Sequence, residues 1–198
     1  TADNNTAVGY AALDANTTGA ENVAVGSGAL GANTTAGSNV AVGTYSLDAN
    51  TTGAANIAIG SHSLGVNTTG ASNVAVGYAA LDANTTAANN TAVGYAALGA
   101  NTTGDYNTAV GQNSLDSSTT GYRNTAMGVD SLNGLTTGGY NSGFGQHALN
   151  QVTTGGSNTA IGYNSGATTT TGSNNISLGQ DSATTAVDSD GQCTLGSS

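Results

Sequence analysis

The sequence predicts an all-β fold, a parallel β-solenoid, and three observations carry that prediction. A pattern of 17 residues repeats without a slip from Asn5 onward. Glycine stands at the fifth position of every copy, and an apolar residue stands just before it. A fixed period is typical of solenoids, in which each repeat forms one coil and stacks on its neighbours.

The copies define three parts of the chain. We read residues 1–4 as a lead-in, residues 5–191 as eleven repeats of one elongated solenoid, and residues 192–198 as a partial twelfth repeat that leads to a segment outside this sequence. Position one of the repeat is Asn5, Asn22, Asn39, Asn56, Asn73, Asn90, Asn107, Asn124, Asn141, Asn158, Asn175 and Gln192. From Asn107 onward the pattern loosens, and residues 183–191 predict a less regular last coil.

Composition excludes several classes of function. Leu, Ile, Val and Phe make up only about 15% of the chain, a level typical of disorder, but their recurrence at fixed positions would gather them into columns. Net charge is −10 with Arg123 as the only Lys or Arg, which argues against binding nucleic acid or anionic membrane. No apolar run is long enough to cross a bilayer, no signal peptide is recognisable, and the single Cys193 cannot form an intrachain disulfide.

Positions one to five predict a strand followed by a corner. Stacked asparagine amides at position one favour a ladder of hydrogen bonds, and the glycine at position five indicates a positive φ or no room for a Cβ. We expect the apolar position four to face the core. Position three is always small, which predicts close packing on the opposite face of the strand, with a neighbouring chain as the candidate. Position four is Val8, Val25, Val42, Ile59, Val76, Val93, Val110, Met127, Phe144, Ile161, Leu178 and Leu195.

The rest of the repeat predicts a second core column and a return loop. Leucine occupies position nine from Leu13 to Leu149, and the A-N-T-T-G segment that follows predicts a loop with one short strand. The absence of proline suits a chain whose backbone N–H groups bond between coils.

Position ten alternates between aspartate and glycine through seven coils. The aspartates are Asp14, Asp48, Asp82 and Asp116. Coils lie about 4.8 Å apart, so alternation spaces like charges on a solvated edge. Calcium binding by this column is the alternative, but no second column of carboxylates accompanies it.

No catalytic, cofactor or metal site is predicted, and we therefore expect a protein that is not an enzyme. His62 and His147 occupy the variable position seven without a neighbouring column of carboxylates or cysteines, and the serines and threonines lack a paired base. The singular residues Arg123, Phe144, His147 and Cys193 are spread over about four coils and form no evident cluster.

Two surface features leave alternatives open. Glycosylation sequons begin at Asn4, Asn16, Asn33, Asn50, Asn67, Asn84, Asn89, Asn101 and Asn175, and they would be used only in a eukaryotic secreted protein. Ranks of threonine suggest ice binding, although the two threonines of each pair are adjacent, so only one would face outward from a strand.

The repeats N-T-A-V-G-Y-A-A-L and N-V-A-V-G-x-x-x-L resemble the head repeats of YadA-type trimeric autotransporter adhesins. They resemble even more the N-T-A-V-G-Y-x-A-L arrays of bacteriophage tail fibres, which end in a segment like Gln192 to Gly196. This resemblance, which covers almost the whole chain, implies a left-handed parallel β-roll in a parallel homotrimer.

The expected function follows from the resemblance and the architecture. We expect a structural and adhesive segment, the shaft or head of an extracellular tail fibre or cell-surface adhesin. Its binding partner would be a host receptor or glycan, recognised through an adjacent segment outside this sequence. The alternative is an extracellular solenoid that organises ice or glycans.

Overall fold

The computed structural model describes residues 2–183 and 188–196 and confirms a parallel β-solenoid of 17-residue coils. Its strands form a single sheet in which each strand pairs in parallel with its neighbours in sequence. Outside the described residues lie Thr1 of the lead-in, residues 184–187 of the predicted irregular coil, and residues 197–198 of the twelfth repeat. The strands are β1 (Thr6–Val8), β2 (Val23–Val25), β3 (Val40–Val42), β4 (Ile57–Ile59), β5 (Val74–Val76), β6 (Thr91–Val93), β7 (Thr108–Val110), β8 (Thr125–Met127), β9 (Ser142–Phe144), β10 (Thr159–Ile161), β11 (Ile176–Leu178) and β12 (Cys193–Leu195).

Backbone hydrogen bonds between coils continue well beyond the sheet. Leu13 N donates to Ala29 O at 3.0 Å, and Thr17 N donates to Thr34 O at 2.9 Å, and equivalent bonds recur up the stack. The N–H groups at positions two, five, seven, nine, eleven, thirteen and seventeen all take part in such bonds. A proline at any of these positions would remove a bond, which disfavours proline there.

The predicted asparagine ladder runs through the interior and bonds to the backbone. Asn56, which is fully buried, donates its own N–H to Asn39 Oδ1 at 2.9 Å and donates Nδ2 to Gly70 O at 2.9 Å. Its Oδ1 accepts the backbone N–H of Asn73 in the next coil at 2.9 Å. Each position-one amide therefore forms one hydrogen bond within its own coil and accepts one from the backbone of the following coil.

The glycine at position five satisfies both conditions expected of it. Gly26 has φ +137°, and a Cβ on Gly26 would lie 2.5 Å from the carbonyl oxygen of Gly43 in the next coil. The corner therefore needs a left-handed backbone and allows no side chain between successive coils.

The core contains positions three and nine, which corrects the expectation for the strand. Leucine at position nine is buried as predicted, but the buried strand residue from β2 to β11 is the small one at position three. Position four, expected to face the core, lies on the outside of the sheet. The coil is too narrow for two large apolar columns: even at Gly143, an added Cβ would lie 3.4 Å from Leu132 Cγ and 2.7 Å from Ser131 Oγ.

Each coil contains one strand in the part of the chain that the structure describes. The A-N-T-T-G segment, expected to include a short strand, forms bends and irregular backbone instead. Its asparagine at position twelve is buried and forms a second ladder, in which Asn67 Nδ2 donates to Asn50 Oδ1 at 2.8 Å and to Gly70 O at 3.0 Å. Interior side-chain hydrogen bonds stabilise this wall in place of strand pairing.

Three positions of the repeat adopt the left-handed conformation without glycine. Positions seven and seventeen have positive φ throughout the described coils, and position nine has positive φ from Leu13 to Gly166, as in Ala79 at 53°, Leu81 at 53° and Asn89 at 61°. Glycine takes these places in single coils, at Gly28, Gly166 and Gly191, with φ near 70°. The tight turns of the coil impose this backbone on every repeat.

Candidate association surface and ligand cleft

The side chains of positions two and four share one side of the sheet, which we call the outer sheet face. Position four is apolar in every coil, position two is Thr, Val, Ile, Ser or Cys, and neither position carries a charge. Many of these side chains are well exposed, including Ile59 at 41% and Phe144 at 37%. Others are Val8, Val42, Ile57, Val110, Met127, Ile161, Ile176 and Leu195.

This apolar strip runs from β1 to β12, and its side chains are partly or well exposed. Soluble monomers rarely expose a continuous apolar surface of such length. A neighbouring chain was expected against position three, but that position is enclosed by its own coil from β2 to β11. Phe144 and Cys193 belong to this face, and Cys193 is a free, exposed thiol.

Arg123 lies in a second surface feature, a shallow cleft between two coils. The guanidinium carbon stands 5.6 Å from the ring centre of Tyr106 and 5.5 Å from that of Tyr140, and Nη1 donates to Tyr140 Oη at 2.8 Å. Tyr122 packs edge-on against Tyr140, with 5.3 Å between ring centres. The cleft has a volume of about 380 Å³, and its other lining side chains are Thr103, Asp105 and Thr120.

Sequence reasoning missed this cluster because it considered only the rarest residues. Arg123, Phe144, His147 and Cys193 do not come together in the structure, but Arg123 contacts Tyr106 and Tyr140, and Tyr122 packs against Tyr140. Tyr106, Arg123 and Tyr140 occupy position seventeen of three successive coils, so their spacing of one repeat was the available signal. Gly139 provides room for Tyr122, since a Cβ there would lie 3.0 Å from the Tyr122 ring.

The two histidines contact aromatic rings on the surface. His62 lies between Tyr45 and Tyr78, with ring centres 5.6 and 6.3 Å away, and Tyr78 stacks on Tyr95 at 5.4 Å. His147 Nδ1 lies 3.9 Å from Asp130 Oδ2. Within the described ranges, no group of three or more His, Cys, Asp or Glu side chains could hold a metal ion.

The alternation at position ten has a steric reason as well as an electrostatic one. Asp48 Oδ1 would lie 2.8 Å from a Cβ on Gly31, and Asp82 Oδ1 would lie 2.8 Å from a Cβ on Gly65. Asp48, Asp82 and Asp116 therefore each place a carboxylate oxygen against the glycine of the preceding coil. The column leaves no carboxylate in the intervening coils to complete a calcium site.

Asp116 gives this column a pH dependence. Burial raises the pKa of the Asp116 carboxyl above its ordinary value of 3.8, and the negative charge of Asp130 adds to the increase. A raised pKa in the folded state favours the protonated protein, so the resulting stabilisation is complete below the ordinary value and is lost as pH rises through the raised pKa.

We expect Asp116→Asn to stabilise the fold at neutral pH, because the variant removes a partly buried charge. Asparagine suits the site, since Asn133 and Asn150 occupy position ten in the next coils. Urea denaturation measured from pH 7 downward should show the difference from the parent shrinking as Asp116 takes up its proton. In an Asp130→Asn background the same substitution should have a smaller effect. A difference that is independent of pH would contradict this account.

Most sequons are closed to glycosylation in the folded coil. Asn33, Asn50, Asn67, Asn84 and Asn101 are fully buried, and their Nδ2 atoms donate to neighbouring amide or carbonyl oxygens. Asn4 and Asn89, at position seventeen, are exposed. Regular glycosylation along the position-twelve column is therefore incompatible with this fold.

The threonine pairs present one exposed column. The first threonine of each pair donates its hydroxyl to the next coil, as Thr51 Oγ1 does to Thr68 O at 3.0 Å, and the second is exposed. Only the second hydroxyl is directed to solvent. The number of threonine hydroxyls that could order water into ice is therefore halved.

No protein-family model, no curated protein and no solved structure matches this chain. Among the described residues, no helix has the length and apolar character required to span a membrane. The solenoid, its outer sheet face and its cleft are therefore the basis for assigning a function.

Proposed function

We propose that this chain is a rod-like segment of an extracellular trimeric fibre, the shaft or head of a phage tail fibre or a cell-surface adhesin. The observation that carries this proposal is the outer sheet face, an uncharged strip with an apolar side chain in every coil. In this role the rod holds a host-binding end at a distance from its anchor. The receptor or glycan would be bound mainly by an adjacent segment.

Parallel association of three copies suits this face. Every coil repeats the same columns after 17 residues, so parallel chains bring equivalent apolar side chains to the same level. In a cyclic arrangement each copy covers the outer sheet face of the next copy, so no copy is left with this face exposed. Three chains also brace one another against bending, which a long and narrow solenoid of small residues needs.

The oligomeric state tests the proposal. Multi-angle light scattering at micromolar concentration should give three times the 18.9 kDa chain mass. Val42→Glu, which places a charge on the outer sheet face, should weaken association by at least about 100-fold, because the interface would bury an unpaired carboxylate.

Val66→Glu is the matched control. Val66 is as exposed as Val42, at 45% against 36%, but it lies at position eleven, away from the strand. The Val66→Glu variant should remain trimeric. A folded parent monomer, or a Val42→Glu variant with the mass of the parent, would show that this face does not mediate trimerisation.

A further inference from the structure

Arg123 places a positive charge at the edge of the cleft. Among the described residues, no carboxylate oxygen lies within 4.0 Å of its guanidinium, although the chain has a net charge of −10. Two tyrosine rings and the Tyr140 hydroxyl hold the group in place. Of the five guanidinium N–H donors, one has a protein acceptor, so the others remain for water or a ligand. A fixed, unpaired guanidinium beside a cleft is suited to a carboxylate.

The remainder of the cleft is suited to a sugar ring. The rings of Tyr106 and Tyr122 are about half exposed and offer apolar surface with a hydroxyl at the rim, which complements a pyranose with its C–H face and hydroxyl edge. Thr103 and Thr120 add exposed hydroxyls. Asp105 Oδ1 accepts the Ala88 N–H at 2.7 Å, which directs this carboxylate to the wall and leaves its other oxygen to accept from a sugar hydroxyl.

Other classes of ligand suit the cleft less well. An apolar small molecule needs an enclosed pocket, whereas this cleft is shallow and open. Nucleic acids and densely sulfated or phosphorylated polymers need clustered positive charge, but Arg123 is the only Lys or Arg of an acidic chain. One guanidinium matches one carboxylate.

We propose that the cleft between Tyr106, Tyr122 and Arg123 binds a saccharide that carries a carboxylate, such as a uronic acid unit of a surface polysaccharide. The carboxylate pairs with Arg123, and the sugar ring packs on the exposed tyrosine rings. The site lies on positions fourteen to seventeen of the repeat, whereas the outer sheet face is formed by positions two and four. It therefore gives the rod a lateral ligand site of its own.

Saturation-transfer NMR with methyl β-glucuronide tests this site, with methyl β-glucoside and acetate as comparison ligands. The expected dissociation constant is on the order of 1 mM, since one shallow cleft supplies a few contacts. The neutral glucoside, which lacks the carboxylate, should bind about tenfold more weakly. Acetate, which lacks the ring, should also bind about tenfold more weakly.

Variants taken from the same repeat positions keep the fold and isolate each contact. Arg123→Asn copies Asn89, Tyr106→Ser copies Ser72 and Tyr122→Ala copies Ala88. Each should weaken glucuronide binding by about tenfold or more, while Tyr163→Ser, at position six and outside the cleft, should leave it unchanged. Circular dichroism and melting should show that all four variants are folded.

The outcomes separate the elements of the proposal. Equal binding of glucoside and glucuronide would overturn the role of Arg123. Equal binding of acetate and glucuronide would overturn recognition of the sugar ring. No binding at about 100 mM ligand, or equal binding by the parent and the Arg123→Asn variant, would overturn the site.

Discussion

Deletion of Gly77 alone is expected to destroy the folded structure of its coil, whereas deletion of the whole repeat 73–89 is expected to leave a folded, shorter rod. Gly77 has φ +138°, and its N–H donates to Ile59 O at 2.8 Å. Removal of this residue shifts every following residue of the coil by one position. Leu81 then leaves the buried column, and the Asn84 amide leaves its ladder.

Deletion of the whole repeat preserves every column. Ser72 would be followed by Asn90, whose N–H would meet Asn56 Oδ1 as the N–H of Asn73 does in the parent. Coils contact only their neighbours, so removal of one coil removes the stability contributed by that coil and by one interface between coils. We expect the single-residue deletion to lower the free energy of unfolding by more than about 4 kcal/mol. The 17-residue deletion should change the melting temperature only slightly.

Thermal melting monitored by circular dichroism, with both variants made in the same background, measures the contrast. The longer deletion should keep the parent signal per residue and a cooperative transition. The single deletion should lose signal and cooperativity. Comparable losses in the two variants would contradict a register based on 17-residue coils.

The period, the strand and the corner were predictable from the sequence because each is repeated chemistry. Because one pattern occurs twelve times, the constant residues at positions one and five can be recognised within a single sequence. The amide ladder and the positive φ of the glycine follow directly from side-chain chemistry. These features hold in the structure at Asn56 and Gly26 as expected.

The orientation of the strand was predicted wrongly because size was taken as a measure of burial. Val and Ile at position four are more apolar than Ala at position three, yet Ala58 is fully buried and Ile59 is 41% exposed. Strand alternation fixes that the two face opposite ways but not which side is inside. The width of the coil decides which face of the strand is inside. That width depends on how the loops close, and the sequence of a strand alone does not specify it.

The left-handed residues were also outside the reach of local reasoning. A leucine at φ near 50° is contrary to its intrinsic preference, which disfavours that backbone by about 1–2 kcal/mol. Burial of the Leu81 side chain outweighs that cost, together with the bond from Leu81 N–H to Ala97 O in the next coil and the bond that Leu81 O accepts from Asn84 N–H. The hints in the sequence were Gly28, Gly166 and Gly191 at such positions, and the asparagines and aspartates that recur at positions seven and seventeen.

The cleft around Arg123 depends on neighbours in adjacent coils. Tyr106 and Tyr140 are each one repeat away from Arg123, so stacking was foreseeable once the period was known. That the guanidinium lies between the two rings, and that Tyr122 packs against Tyr140 over Gly139, depends on side-chain rotamers. Rotamers are set by packing and are not read from spacing.

Asn56→Leu is expected to destabilise the solenoid by about 3 kcal/mol, and Asn67→Leu in the same coil by about 1 kcal/mol. Both side chains are fully buried, and leucine is close to asparagine in shape. The difference lies in what each Oδ1 accepts. Asn56 Oδ1 accepts the backbone N–H of Asn73 at 2.9 Å, and Asn67 Oδ1 accepts only the side-chain Nδ2 of Asn84 at 2.8 Å.

After Asn56→Leu, the N–H of Asn73 is buried without an acceptor, and the stack prevents it from turning elsewhere. After Asn67→Leu, Asn84 Nδ2 keeps its bond to Ala87 O at 3.1 Å, and the Asn50 amide, which loses a donor, is left with an unpaired oxygen. An unpaired oxygen is less costly than an unpaired backbone N–H. The chain itself replaces the position-twelve amide in later coils, with Leu135 and Val152 fully buried there, but it never replaces position one by an apolar residue.

Urea denaturation gives the free energies of unfolding of the two variants. Amide hydrogen exchange at Asn73 gives a local readout: protection of the Asn73 N–H should fall in Asn56→Leu and persist in Asn67→Leu. Equal destabilisation with equal protection at Asn73 would mean that the two ladders are interchangeable and that the backbone contact of position one has no special weight.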